Sequence, residues 1–374
     1  MPKLSKYLFM QMLGATLIGL IMLGGMAWMT QALRILERII GQSSSAMLYL
    51  ELTLLSMPRM LAIIFPIALF FGILYVLNRL FQDSELIAIF ASGISPWQMA
   101  RPVLLLAFIT SLLIGLLSLY VSPHMMRILY AQQNDLQNAI AANLVREGSF
   151  TTPSEHLTVY AQSRTGDGAI RGLLVHDNRD AKHPVTYLAE EGVVLRAANE
   201  PPRFLLRNGN IHRRTETGIQ ILSFSEYSYD LSPFIGGSVR KGMRASERFL
   251  PQLLFPNMDN EYDRRRAHKL RANGHDKIVS LLHPITLALI ALITFTHSGM
   301  SRRRYGRRIM IGSMTGLAYR VLCFAVVGQS AKADAAVWPI YFVPIFCLIL
   351  CIIVMSSSQH NRWASKLSFV KGGV

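Results

Sequence analysis

The residues best placed to do chemistry in this 374-residue chain are a few charged side chains in apolar surroundings. Arg320 has eleven uncharged residues on each side. A guanidinium at the middle of a hydrocarbon layer costs at least about 2.5–3.5 kcal/mol, so it requires a partner or a wet cavity. Either a structural pairing, with backbone carbonyls or another subunit, or contact with an anionic ligand satisfies that requirement. Arg34 and Arg38 stand one helical turn apart with Glu37 between them, and so share one helix face. Snorkelling to lipid headgroups accounts for the pair. Recognition of a lipid phosphate by the planar arginine fork accounts for it equally. The segment Asp83-Ser84-Glu85-Leu86-Ile87-Ala88-Ile89-Phe90-Ala91-Ser92-Gly93-Ile94-Ser95-Pro96 is of a third kind. Asp83 or Ser84 can cap a short helix, Glu85 suits its positive first turn, and Gly93 with Pro96 ends it. Its apolar content fits a segment lying on the membrane or one inserted into a groove on a partner.

Several chemistries are excluded. No Gly-Lys dipeptide occurs, so a Walker A phosphate loop is impossible, and neither His-Glu-x-x-His nor Gly-x-Ser-x-Gly is present. Cys323, Cys347 and Cys351 lie within apolar runs and read as small apolar residues rather than a metal or redox set. The chain is expected to have no catalytic residue, cofactor or metal of its own. Any energy input has to arrive from a partner.

The elements that must carry these residues follow from where the charges are missing. With 51% hydrophobic and 16% charged residues, the chain has stretches without Asp, Glu, Lys or Arg at 7–33, 60–78, 102–126, 278–301 and 335–361, and a sixth at 309–331 broken only by Arg320. A spanning helix needs roughly 20 mostly apolar residues, so six membrane helices are expected. The first run is too long for a secretory signal and reads as a retained helix. Short segments on one side hold Lys3, Lys6, Arg79, Arg101, the Arg302–Arg308 cluster, Arg362, Lys366 and Lys371; the other side holds only Arg34, Arg38, Arg59 and Lys332. Cytoplasmic loops are the basic ones, which puts both termini inside. Trp28, Trp97, Trp338 and Trp363 fall near span ends, where indole prefers the headgroup layer. Most of the +16 net charge flanks the spans, which argues for orientation and against nucleic acid as a partner.

The resulting organisation has three parts. Residues 1–123 carry spans one to three with the short inner helix near 83–95. Residues 124–277 form a periplasmic domain, and 278–374 carry spans four to six. The insert opens with a polar helix over 127–145. Strands are expected at 157–162, 170–176, 185–188, 193–196, 204–206 and 219–229, divided by turns such as 165–168 and Asn208-Gly209-Asn210. That spacing suggests an antiparallel sandwich or jelly roll. An amphipathic helix near 261–271 leads back to the membrane. The fold class is therefore an α-helical membrane protein with six transmembrane helices and an inserted periplasmic, all-β, jelly-roll-like domain. Ala15-x-x-x-Gly19 and Gly312-x-x-x-Gly316 are small-residue pairs that suit close helix–helix contact.

Three spans, a β-type insert, three more spans and the run from Ser84 to Gly93 together resemble the lipopolysaccharide export permeases, the LptF/LptG family. The run Gln31-Ala32-Leu33-Arg34-Ile35-Leu36 is closer to LptF than to LptG. The resemblance implies one permease of an ABC exporter that extracts lipopolysaccharide from the inner membrane. Its partners would be a paralogous LptG-like permease and a cytosolic LptB-like ATPase dimer. A single-span LptC-like jelly-roll protein and an LptA-like periplasmic bridge would complete the path. It further implies ATPase coupling through Ser84, Glu85, Leu86 and Gly93, and lipid contact through Arg34 and Arg38. Spans one and five, with Ala15, Gly19, Gly312 and Gly316, would form the seam with the partner permease. Arg320 has no family-wide counterpart, and its lipid-binding role rests on its position alone. Two other readings stand beside this one. One is an ATPase-coupled mechanotransmission permease that moves no lipid through its own helices. The other is a membrane enzyme acting on lipids, for which the spans offer only Arg320, His283 and His297.

Overall fold

The computed structural model describes residues 3–39, 46–143, 147–154, 156–165, 169–180, 183–195, 203–215, 218–230, 242–296, 305–332 and 337–371. The chain divides into two units, one of Met1–Arg127 with Arg244–Val374 and one of Ile128–Met243.

The first unit is helical. Helices α1 (Lys3–Ile39) and α2 (Ala46–Gln82) have 37 residues each. At 1.5 Å per residue that is roughly 55 Å, well beyond a hydrocarbon core of about 30 Å. A seven-residue helix, α3 (Glu85–Ala91), separates α2 from α4 (Pro96–Leu116). The start of α4 is fixed by a reciprocal cap: Gln98 N–H donates to the Ser95 hydroxyl at 3.2 Å, and Ser95 N–H donates to Gln98 Oε1 at 3.0 Å. Pro96 occupies the first helical turn, where its missing N–H costs nothing, so it opens α4 instead of closing α3. A π-helical turn, Leu117–Val121, carries α4 into α5 (Ser122–Asn143) without a break.

The fourth apolar run is divided. Helix α7 (Glu261–Val279) meets α8 (His283–Thr296) at a 51° bend, so the span is a broken pair. Pro284 has no N–H to return to the preceding turn, and His283 begins the new helix. At the break the Leu281 carbonyl accepts from the Ser111 hydroxyl of α4 at 2.6 Å. The 14-residue α8 is buried on nearly every side, against α2, α4, α9 (Tyr305–Ser330) and α10 (Trp338–Lys371). Leu287, Ala288, Ala291 and Leu292 sit at the centre of the unit's main core. Five described helices are individually long and apolar enough to cross a membrane, or six if the bent pair counts as one span.

The second unit contains most of α5 and one six-stranded antiparallel sheet: β1 (Phe150–Ser154), β2 (Leu157–Arg164), β3 (Ile170–Asp177), β4 (Val185–Leu195), β5 (Arg203–Thr215) and β6 (Gly218–Asp230). Strands neighbour in chain order, a meander. The runs expected at 185–188 and 193–196 are a single strand. The buried positions pass from Tyr187 and Ala189 to Gly192, so the inward alternation shifts by one residue within the strand, and a Cβ on Gly192 would lie 2.6 Å from Leu173. The turn expected at Asn208-Gly209-Asn210 lies inside β5 instead. Asn208 takes a left-handed φ of 49°, yet Arg207 still pairs with Glu226 and Gly209 with Phe224. Those residues kink the strand without shifting its register. The turn expected at 165–168 falls mostly outside the described residues.

One face of the sheet is buried through Leu157, Val159, Leu173, Val175, Tyr187, Phe204, Leu206 and Tyr229. The sheet curls. Strands β3 and β6 are three positions apart, roughly 14 Å if flat. The Tyr229 hydroxyl of β6 nevertheless donates to Asp177 at the end of β3 at 3.0 Å.

Candidate functional site

Helix α3 is placed by contrasts along its seven residues. Leu86 is 2% exposed in the same core cluster as Leu8 and Met99, while Glu85 beside it is exposed. Ser84 occupies the N-cap position but makes no side-chain cap bond, because its φ of 62° lies in the left-handed region. The other end is closed by Gly93, whose φ of 87° favours glycine and whose N–H donates to the Phe90 carbonyl at 3.2 Å. Asp83 pairs with Arg79 at 3.7 Å. Tyr7 of α1 donates its hydroxyl to Glu85 Oε2 at 3.3 Å. The result is a short helix held by Leu86, with Phe90 packed against the same core, that presents a carboxylate outward.

Arg320 is 9% exposed. Its guanidinium carbon stands 4.7 Å from the centre of the Phe324 ring, and its Nε has no hydrogen-bond partner among the described residues. Asp276 of α7 is near enough to compensate part of its charge. The adjacent Tyr319 joins α9 to His283 of α8, with 2.8 Å between the hydroxyl and Nδ1. Of these, His283 was visible in the sequence, while neither Asp276 nor Tyr319 stood out. An acidic residue just before an apolar run was the available signal for Asp276.

Arg34 is exposed on α1. The Arg38 side chain, His297 and Arg302–Arg304 lie outside the described residues. Among the described residues no hydrogen bond or ion pair joins Arg34 to Arg320. The small residues are used within the chain. Gly19 lies against Ala68 of α2, a Cβ on Gly312 would strike Thr294 of α8, and one on Gly316 would strike Phe70 of α2. The faces left open on these helices carry larger side chains instead: Ile18, Met22, Met29 and Leu33 on α1, and Met310, Met314, Leu317 and Val321 on α9.

A polar cluster not evident from the sequence joins α5, α6 (Leu250–Leu254) and α7. Arg127 donates to the Glu247 carbonyl and to Gln252 Oε1, each at 2.7 Å, and its guanidinium lies 4.4 Å from the Phe249 ring centre. Arg248 forms a two-pronged ion pair with Asp263, both side chains at most 8% exposed, and Lys277 donates to the Arg248 carbonyl at 3.1 Å. Burying two charges is tolerable here because the fork satisfies both carboxylate oxygens.

With this geometry in hand, comparison with known proteins is informative. The family described as lipopolysaccharide export system permease LptF/LptG matches residues 6–357. An uncharacterised protein of Rickettsia prowazekii (strain Madrid E) is 23% identical over 365 residues, covering 96% of this chain and 98% of that protein. The lipopolysaccharide export system permease protein LptF of Escherichia coli (strain K12) is 28% identical over 118 residues, 32% of each chain; the LptF of Shigella flexneri matches to the same extent. The family match covers nearly the whole chain, so this protein, with its apolar helices and separate sheet, belongs to the LptF/LptG lipopolysaccharide export permeases, multi-pass proteins of the inner membrane.

Proposed function

We propose that the chain is one permease of an ABC exporter that draws lipopolysaccharide out of the inner membrane and passes it to a periplasmic bridge. Both termini and α3 face the cytoplasm, and the curled sheet, a jelly-roll-like domain, faces the periplasm. An LptG-like permease completes the membrane cavity through the open faces of α1 and α9. An LptB-like ATPase dimer supplies the energy, and LptC-like and LptA-like proteins receive the lipid from the sheet. Arg34, Arg38 and Arg320 contact its anionic groups. The observation that carries this reading is α3: a short helix pinned by Leu86, with Glu85 exposed, between two membrane spans. Such an element transmits force only if something docks on it.

The test is purification of the tagged protein from detergent-solubilised membranes as wild type and as Glu85→Ala. Wild type should bring down a second six-span permease and a soluble ATPase. The variant should keep the permease and lose or uncouple the ATPase. A wild-type protein that brings no ATPase would sink the proposal. Full lipid export after replacement of both Arg34 and Arg320 would favour a mechanotransmission permease that moves no lipid itself.

A further inference from the structure

Building on the assignment of α3 as the ATPase-docking segment, we infer that Tyr7 is a positioning residue, holding Glu85 and linking the docking segment directly to α1. The hydrogen bond from its hydroxyl to Glu85 Oε2, 3.3 Å long, spans 78 residues of sequence. Three features of α3 give this contact weight. First, the neighbouring carboxylate, Asp83, is neutralised by Arg79, whereas Glu85 has no cationic partner among the described residues. Its charge is thus held by a neutral donor on one oxygen, and Oε1 remains an acceptor for a lysine or arginine of the docking partner. Second, the left-handed Ser84 turns the chain sharply between α2 and α3, so the orientation of Glu85 is not inherited from α2. Third, α3 rests on the core through one apolar face, Leu86 with Phe90 a turn further on, in a cluster that also contains Leu8 of α1 and against which Leu4 packs. That face fixes where α3 sits. The bond from Glu85 adds a polar tie to α1 on the exposed side.

An exposed hydrogen bond of this length contributes little while water competes for both groups. A protein docked over α3 would exclude that water, and a cation on Oε1 would polarise the carboxylate; both strengthen the Tyr7 contact. Displacement of Glu85 by the partner then reaches the first turns of α1, the helix that carries Arg34 at its far end. Without the hydroxyl, the same displacement would reach α1 only through the apolar packing of Leu86 and Phe90.

The test uses the complete exporter in proteoliposomes at saturating ATPase, reading ATP hydrolysed and lipid released for wild type, Tyr7→Phe, Glu85→Ala and the double variant. Tyr7→Phe removes one hydroxyl from a side chain that is 43% exposed, so the fold should be kept; an unchanged size-exclusion profile verifies that. Hydrolysis is expected to stay within about twofold while lipid released per ATP falls about three- to tenfold, with no further fall when Tyr7→Phe is added to Glu85→Ala. An unchanged ratio in Tyr7→Phe would overturn the inference. So would an effect that persists in the Glu85→Ala background, or loss of the ATPase from the Tyr7→Phe complex, which would make Tyr7 a docking residue. These failures leave the wild-type exporter intact. A wild type without ATPase or lipid release overturns the parent reading as well.

Discussion

Asp177 and Arg320 show how differently single buried charges can be held. Burial pushes the Asp177 carboxyl up, but the Arg179 fork and backbone N–H, with the Tyr229 hydroxyl, outweigh it and hold the group below the ordinary carboxylate range. A depressed carboxyl contributes stability above its unfolded pKa and loses it as pH falls through the folded one. The sheet unit should therefore be insensitive to pH near neutrality and weaken below about pH 4. Hydrogen exchange at β3 and β6 amides in the full chain would show this, and Asp177→Asn should flatten the acid response. Asp177→Ala should cost about 1–3 kcal/mol, because it strips the Tyr229 hydroxyl of its acceptor. Arg320 lacks such a set of partners, so Arg320→Met should leave the melting temperature in detergent unchanged or raised while lipid export falls. A large loss of melting temperature with full export would make Arg320 purely structural. Arg320 was visible in the sequence because one charge in an apolar run needs no fold to be noticed. Tyr7 was invisible, since nothing in local spacing links positions 78 residues apart.

Among the elements, close approach is the property most open to test. A Cβ on Gly72 would lie 2.8 Å from the Thr16 backbone nitrogen and 2.9 Å from its Cα, so α1 and α2 would have to separate. Gly72→Ala should destabilise the helical unit by about 1–3 kcal/mol, read as a lower melting temperature in detergent. Gly14→Ala, with nothing within 4 Å, should be neutral or gain about 1 kcal/mol from helix propensity. The spans were legible because twenty apolar residues leave few alternatives. The bend between α7 and α8 was less so; Pro284 marked a helix start, but a continuous apolar run concealed the 51° break. In the sheet, Asn208-Gly209-Asn210 has the composition of a hairpin turn, and only pairing with β4 and β6 shows that the strand runs through it. The small-residue pairs suit close helix–helix contact, but spacing cannot say which helix makes the approach. The structure places Gly312 and Gly316 against α8 and α2 of the same chain.

For the molecule as a whole, sidedness is the decisive property, and charge patterning alone proposes it. With the native cysteines replaced by serine, a cysteine in place of exposed Asn210 should react with an impermeant maleimide in cells whose outer membrane is permeabilised. One in place of exposed Lys3 should react only after the inner membrane is broken. The opposite pattern would invert the topology and remove α3 from the reach of any cytosolic ATPase. The roles proposed for α3 and the arginines rest on residue types and family resemblance together, and neither alone would have joined them. A last consequence comes from the Arg127 cluster. Because Arg127 is tied to Glu247 and Gln252 within the helical unit, the stretch between them is, in polymer terms, a loop whose ends are pinned by its host. Doubling the length of such a loop adds only about 0.6 kcal/mol of closure entropy. In entropic terms the sheet unit is therefore a cassette that can vary in length at little cost, without rebuilding the helical body into which it is inserted.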